Sequence, residues 1–319
     1  MLFQRAPQLF FGILIISLAL GLLGLAPGLY EGFGEWFLFV VLVLATGLPH
    51  GATDHVLHAF TCRQQRRPVR WAPFFVQYLG AIALFSAAWL LAPTFSLLVF
   101  LGVSAYHFGQ SQLLYIDLPE RHPLKWFLYM SWGGAWLLGL LWVHRQEAAT
   151  ILQPVLGVDH PIWLFFIRHG HWVAAGLAVG VGAGWITAVL RQRMPLRALV
   201  AEGVVALLLV WIMHVTPLIV AFSIYFGLWH ALSSMTEEIQ RLRIQQPQFG
   251  FKDFYLHAWP FTLLSIVGIG ILIAASIYFR GAFSPYLLFF IAISALTMPH
   301  IVAIGRFYAL PYRPSSTAR

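Results

Sequence analysis

Apolar residues recur along the whole chain in stretches about 20 long, separated by short clusters of charged residues, proline and glycine. A stretch of that length matches a helix that crosses the hydrocarbon core of a bilayer. The pattern predicts spans at 9–26, 36–57, 72–92, 94–114, 124–143, 161–190, 197–214, 217–235, 254–279 and 284–308. Spans three and four are split only by Pro93, and spans seven and eight only by Thr216-Pro217. Each pair is therefore expected to form a tight hairpin or a kink. Residues 1–26 have the outline of a cleaved leader, with Arg5, an apolar run and Ala26. Pro27 would follow the cut, so the segment is read as the first span. The expected fold class is all-α: a polytopic transmembrane bundle of about ten spans, with 1–319 forming a single integral-membrane domain.

Composition agrees with that reading. Of 319 residues, 60% are hydrophobic and 9% charged, and the mean hydropathy is +0.79. Soluble domains carry about 25% charged residues. A soluble enzyme, a disordered chain and a nucleic-acid binder are excluded. The net charge of +8 needs no acidic partner, because basic residues of membrane proteins collect in cytoplasmic loops. The single cysteine, Cys62, excludes an intramolecular disulfide and an iron–sulfur cluster.

Loop charges set an orientation. With Arg5 in the cytoplasm, the even-numbered connections hold Arg63, Arg66, Arg67 and Arg70; Arg121 and Lys125; Arg191, Arg193 and Arg197; and Arg241, Arg243 and Lys252. The C-terminus adds Arg306, Arg313 and Arg319. In all, 16 of 19 basic residues fall on one side, leaving Arg145, Arg168 and Arg280. The asymmetry places both termini in the cytoplasm, with the chain in the cell (inner) membrane.

The 13 histidines outnumber the 11 acidic residues. In the even-numbered spans, which run inward, His50, His107, His230 and His300 lie 13–16 residues from the span starts. At 1.5 Å per residue all four sit roughly 20–24 Å from the outer edge. Each alone can be an interior histidine bonded to backbone or hydroxyl. Equal depth on four parallel spans instead lets the imidazoles converge on one metal ion. Imidazole suits zinc, copper, iron and nickel. Four neutral ligands on a six-coordinate metal leave two open positions, which fits Fe(2+) best.

Asp54 is the one acid well inside a span, one helical turn beyond His50. It is expected in the second shell, holding another ligand's outer nitrogen; direct ligation or a buried histidine pair are its rival roles. Glu202 lies near a cytoplasmic end and is expected to reach the interface. His55 and His58 crowd the same helix as Asp54, with His58 read as an interface residue. Arg168, His169 and His171 form an outer polar cluster, and Gln110 and Gln112 follow His107 closely. Tyr106, Phe108, Tyr225 and Trp229 flank the histidines and are candidates to line an apolar substrate site.

Four strings carry a resemblance: GLPHGATDHVLH at 47–58, SAYHFGQSQ at 104–112, YFGLWHALSS at 225–234 and TMPHIVAIGRFY at 297–308. Together they resemble the Brp/Blh family of bacterial and archaeal membrane carotenoid-cleaving dioxygenases, the first string being the most specific. The resemblance implies an iron-dependent enzyme that splits the central C15=C15′ bond of β-carotene with dioxygen to give two retinal molecules. It implies His50, His107, His230 and His300 as ligands, the bilayer as the source of substrate, and a functional link to a microbial rhodopsin. The family pattern has a further histidine one turn after the Trp-His string, where this chain has Ser234. The two lysines, Lys125 and Lys252, fall in loops, so no intramembrane lysine is available for a Schiff base. Three other classes remain open. A haem-binding electron-transfer protein would use paired histidines, and a transporter would use Asp54 and the histidines as a pathway. A di-iron hydroxylase fits least, since no His-X-X-His-His string occurs.

Overall fold

The computed structural model describes residues 6–26, 28–120, 122–278 and 285–310. Arg5, Pro27, Arg121, Arg280, Arg313 and Arg319 lie outside the described residues, as do 279 and 284 at the edges of two expected spans. Among the described residues, all regular structure is helical. Helix α1 is Pro7–Leu23. The second segment comprises α2 (Phe33–Leu42), a π-helical turn (Val43–Gly47), α3 (Leu48–Gly51) and, after a step at Ala52 and Thr53, α4 (Asp54–Gln64). Then come α5 (Trp71–Leu91), α6 (Pro93–Leu113), α7 (Pro123–Val143), α8 (Arg145–Leu156), α9 (Pro161–Leu190) and α10 (Leu196–Val215). The next segment is α11 (Leu218–Ser223), a second π-helical stretch (Ile224–Ala231) and α12 (Leu232–Leu242). Helices α13 (Phe251–Tyr278) and α14 (Pro285–Tyr308) complete the bundle.

Eight helical stretches among the described residues are long and apolar enough to cross a membrane, with Phe33–Gln64 and Leu218–Leu242 counting once each. The other two expected spans are α1, an apolar helix of 17 residues, and α6, in which Ser104, His107, Gln110 and Gln112 interrupt the apolar run. Polarity is inverted relative to a soluble domain. Leu84, Leu90 and Leu91 stand fully outward, while His50, Asp54, His107, Glu202, His230, Glu238 and His300 are at most 6% exposed. Lipid rather than water suits such a surface.

Three features differ from the sequence reading. The 12-residue α8 occupies what was expected to be a loop. The segment expected to end at residue 235 runs on to Leu242, because Met235, Ile239 and Leu242 pack with Leu57, Phe60 and Phe307 in a second apolar core. Glu238 and Arg241 are thereby carried inside the bundle. Lys125 belongs to the first turn of α7 rather than a loop. It is buried, and its Nζ donates to Glu120 Oε1 (2.7 Å), Leu118 O (2.9 Å) and Leu114 O (3.3 Å).

Helix α7 packs along α6 and α9, and α14 along α5 and α4. The α6–α7 contact is backbone to backbone. A Cβ on Gly109 would collide with the Tyr129 carbonyl, and one on Gly133 with the Ala105 carbonyl. This pair of glycines fixes the height and rotation of α6, which carries His107. Gly109→Ala and Gly133→Ala are each expected to destabilise the bundle by about 1–3 kcal/mol through overpacking. Gly102→Ala, on the same helix with open space around it, is expected to change stability by no more than about 0.5 kcal/mol. Thermal unfolding of the detergent-solubilised proteins checks the contrast.

Candidate metal centre

Each of the four histidines sits where a helix departs from regularity or is pressed against a neighbour. Pro49 has no N–H to return to the Ala45 carbonyl; the Tyr255 hydroxyl, from α13, donates to that carbonyl instead (2.6 Å). His50 follows directly on the π-helical turn. His230 lies inside the second π-helical stretch, and wide turns of this kind re-aim side chains at functional sites. The two wide turns pack on each other: Gly47 lies under the Phe226 ring and Gly227 against Leu42 and Thr46. His107 is held by the α6–α7 contact, and His300 follows Pro299 inside α14.

The rings adjoin in the order His50, His230, His107, His300. Neighbouring centroids are 5.3, 4.8, 5.1 and 4.7 Å apart around this circuit, with interplanar angles of 80–85°. His50 and His107 face each other in parallel at 6.2 Å. One nitrogen each from His50, His107 and His230 lies within 4.8 Å of the others. These three buried histidines can hold a metal ion. His300 closes the circuit from the side of His50 and His107.

The outer nitrogens explain how the rings are aimed. His300 Nδ1 donates to Asp54 Oδ1 (2.8 Å), and the Tyr78 hydroxyl donates to Asp54 Oδ2 (2.9 Å). Ser111 Oγ donates to the Phe108 carbonyl (3.0 Å), so it accepts from His230 Nδ1 (2.8 Å). His50 Nδ1 lies 3.0 Å from Glu238 Oε1, and the Thr53 hydroxyl lies 3.4 Å from Glu238 Oε2. In His230 and His300, Nδ1 is engaged outward and Nε2 is the nitrogen left for the centre. Nε2 of His300 and both ring nitrogens of His50 and His107 are buried with no hydrogen-bond partner. A buried nitrogen lone pair without a donor is costly, so a set of them facing one point fits a cation. Asp54 and Glu238 together carry two negative charges when ionised, which balances a divalent ion in a low-dielectric interior.

The structure brings together the four histidines and Asp54 expected from the sequence, and adds Glu238, Tyr78 and Ser111, which sequence reasoning did not single out. Glu238 lay beyond the expected end of its span, although it follows His230 at a spacing of two helical turns. Tyr78 stands on α5, whose apolar run gives no hint of an inward residue. Glu202 does not reach the interface as expected. It is fully buried, and Gln112 Nε2 donates to its Oε2 (2.8 Å). Gln110 is buried near His107, with its Oε1 unpaired. Ser234 is likewise buried with an unpaired hydroxyl, one turn from both His230 and Glu238.

The expected aromatic lining is divided. Phe108 lies 4.6 Å from the His230 ring, with Tyr225 behind it at 5.4 Å and Trp136 behind Tyr225 at 4.4 Å. Tyr106 packs against Trp126 and Tyr129. Trp229 packs on Phe10, and its indole N–H donates to Ser17 (3.0 Å). The remaining histidines lie apart from the centre. His55 rests on Phe261 and His58 on Phe74, with Cys62 Sγ 3.7 Å from His58. His171 packs on Trp142 and His169 on Phe165, while Arg168 is exposed, so these three do not gather into one cluster. On α8, Glu147 accepts from the Leu218 N–H and pairs with His144 (3.1 Å). Burial pushes the Glu147 carboxyl up, but those two hydrogen bonds outweigh it and hold the group below its ordinary value. This contact caps the helix that leads to His230.

Residues 41–308 match the protein family described as β-carotene 15,15′-dioxygenase. A β-carotene 15,15′-dioxygenase of an uncultured marine bacterium is 25% identical over 291 residues, covering 87% of this chain and 94% of its own. A probable β-carotene 15,15′-dioxygenase, Blh, of Halobacterium salinarum is 25% identical over 291 residues, covering 83% of this chain and 82% of its own. A probable enzyme of the same description, Brp, also of Halobacterium salinarum, is 24% identical over 238 residues, covering 66% and 63%. No solved structure matches the chain.

If the outer contacts aim the rings, their removal weakens metal binding without deleting a ligand. Asp54→Asn and Tyr78→Phe are each expected to lower metal affinity about 10–100-fold, with Tyr78→Phe the milder because Asp54 keeps its bond to His300. Competition titration of metal-free protein with a chelator of known affinity measures both.

Proposed function

The chain belongs to the β-carotene 15,15′-dioxygenase family, and from that premise we propose that it is a multi-pass membrane enzyme cleaving β-carotene at C15=C15′ with dioxygen to give two retinal molecules. The observation that carries the proposal is the convergence of four buried imidazoles, three of them aimed by an outer contact at Nδ1. His50, His107, His230 and His300 would hold ferrous iron, with Asp54 and Glu238 outside them as charge-balancing partners. The donor set fits that ion: neutral nitrogens from rigid helices, with no thiolate and no carboxylate in direct contact. When bound, iron supplies the open coordination positions at which dioxygen is activated.

The chain's own contribution is position and exclusion. His230 and His300 are held by hydrogen bonds, His50 by its contact with Glu238 and His107 by the close α6–α7 packing, which together keep the centre in place. Burial keeps bulk water from a reaction whose substrate is wholly apolar. Phe108 lies against His230 with Tyr225 behind it, an apolar wall beside which a polyene can be held with one double bond next to the centre. Dioxygen supplies both new oxygen atoms, so cleavage requires no protein nucleophile and no proton donor. The neighbouring rings adjoin at 4.7–5.3 Å, which leaves no plane for a macrocycle between them and favours a bare ion over haem.

The substrate partitions into lipid and enters laterally between helices. Both termini face the cytoplasm, and the enzyme lies in the cell membrane. Retinal released into the same bilayer is available to a microbial rhodopsin as chromophore.

Co-expression in a β-carotene-producing bacterium tests the reading. The wild-type chain is expected to bleach the cells and accumulate retinal. His50→Ala, His107→Ala, His230→Ala and His300→Ala are each expected to abolish retinal formation and iron loading. Orange cells despite good expression and iron supply, or an active alanine variant, would contradict the assignment. Chelation of the purified wild-type enzyme is expected to remove activity, and ferrous iron to restore it.

A further inference from the structure

Glu202 is a fully buried carboxylate that the cleavage reaction does not use. Buried acids at membrane depth are costly and mark pathways or binding sites. Glu202 lines a cavity of about 40 Å³ together with the oxygen-bearing Ser111, Gln112, Tyr115, Ser233, Thr236 and Glu237, with apolar side chains, Trp229 among them, completing the wall. Gln112, Ser233 and Glu237 are half-buried and form the rim, whereas Glu202 and Thr236 are buried beneath them. Glu202 Oε2 accepts from Gln112 and the Tyr115 hydroxyl lies against the same carboxyl, while Oε1 is buried without a donor in hydrogen-bond geometry. The cavity lies at the end of α6 that faces the cytoplasm in the proposed orientation. One residue joins this cavity to the histidine centre: Ser111 lines the cavity and also accepts from His230 Nδ1 (2.8 Å).

We propose that this cavity is a transit site through which a divalent cation passes from the cytoplasmic side to the four-histidine centre. The inference rests on the metal reading of that centre and adds the route by which it is loaded. A hydrated ion cannot cross the apolar shell of the bundle. It must exchange water for oxygen ligands on the way in, and Glu202, Gln112 and the hydroxyls around them offer that exchange, with Glu237, which accepts from Arg241 Nε (2.7 Å), at the rim. The cavity is large enough for a few water molecules at roughly 10–15 Å³ each, so the ion can shed its shell in steps. At the histidine centre the ion then meets nitrogens, which hold a transition metal in preference to magnesium or calcium.

The test is the rate of cobalt(II) uptake by metal-free, full-length protein in nanodiscs, followed by stopped-flow visible absorption, with final occupancy measured separately. Glu202→Gln is expected to slow uptake on the order of tenfold, through loss of one charge along the path, and to reach the same final occupancy as wild type. Glu237→Gln, on the half-buried rim, is expected to slow uptake less and also to reach full occupancy. Equal rates in wild type and both variants would overturn the transit site and leave the histidine centre intact. Wild-type protein that takes up no cobalt would overturn the metal reading and this inference together. If Glu202→Gln is not recovered folded, Glu237→Gln decides alone: slower uptake supports the route and an unchanged rate refutes it.

Discussion

A divalent ion held by neutral ligands inside a bilayer needs its charge answered nearby. Asp54 and Glu238 are placed to supply that answer from two directions if the proposed centre holds one: Asp54 through the Nδ1 of His300 at 2.8 Å, Glu238 beside the Nδ1 of His50 at 3.0 Å. Much else in the bundle serves this arrangement. The two wide turns rotate His50 and His230 inward, and their glycines let those turns lie against each other. Tyr255 satisfies the carbonyl that Pro49 leaves open, so the irregular backbone at His50 is tolerated at membrane depth.

The fold class and the four histidines were legible because they rest on local signals. Segment length and basic-loop asymmetry predict the spans, and an even depth on inward-running segments predicts that His50, His107, His230 and His300 can meet. Asp54 was legible as the one acid well inside a span, but which ring each outer partner holds was not, because the contacts join positions far apart: His300 to Asp54 across 246 residues, His230 to Ser111 across 119. Glu238 and Lys125 were misplaced for one shared reason. A hydropathy profile ends a span at the first charges, whereas a charge with a partner can continue a helix inward. Glu202 was assigned to the interface by the same logic and is instead buried with Gln112.

Aromatic residues were read less well than polar ones. Phe108 and Tyr225 stand beside the centre, but Trp229 turns toward Phe10 and Ser17. The wide turn changes the facing of residues by a fraction of a turn, and period-based reasoning cannot see that from sequence. The chemistry-bearing strings carry the family resemblance, while most of the outward surface needs only to be apolar, which is compatible with identities of 24–25% to the family relatives.

X-ray absorption at the iron edge of the purified protein bears most directly on the centre. Four histidine ligands predict one iron per chain and a first shell of nitrogen and oxygen with outer scattering from four imidazole rings. An active enzyme without stoichiometric metal, or a metal surrounded by fewer than three imidazoles, would contradict it.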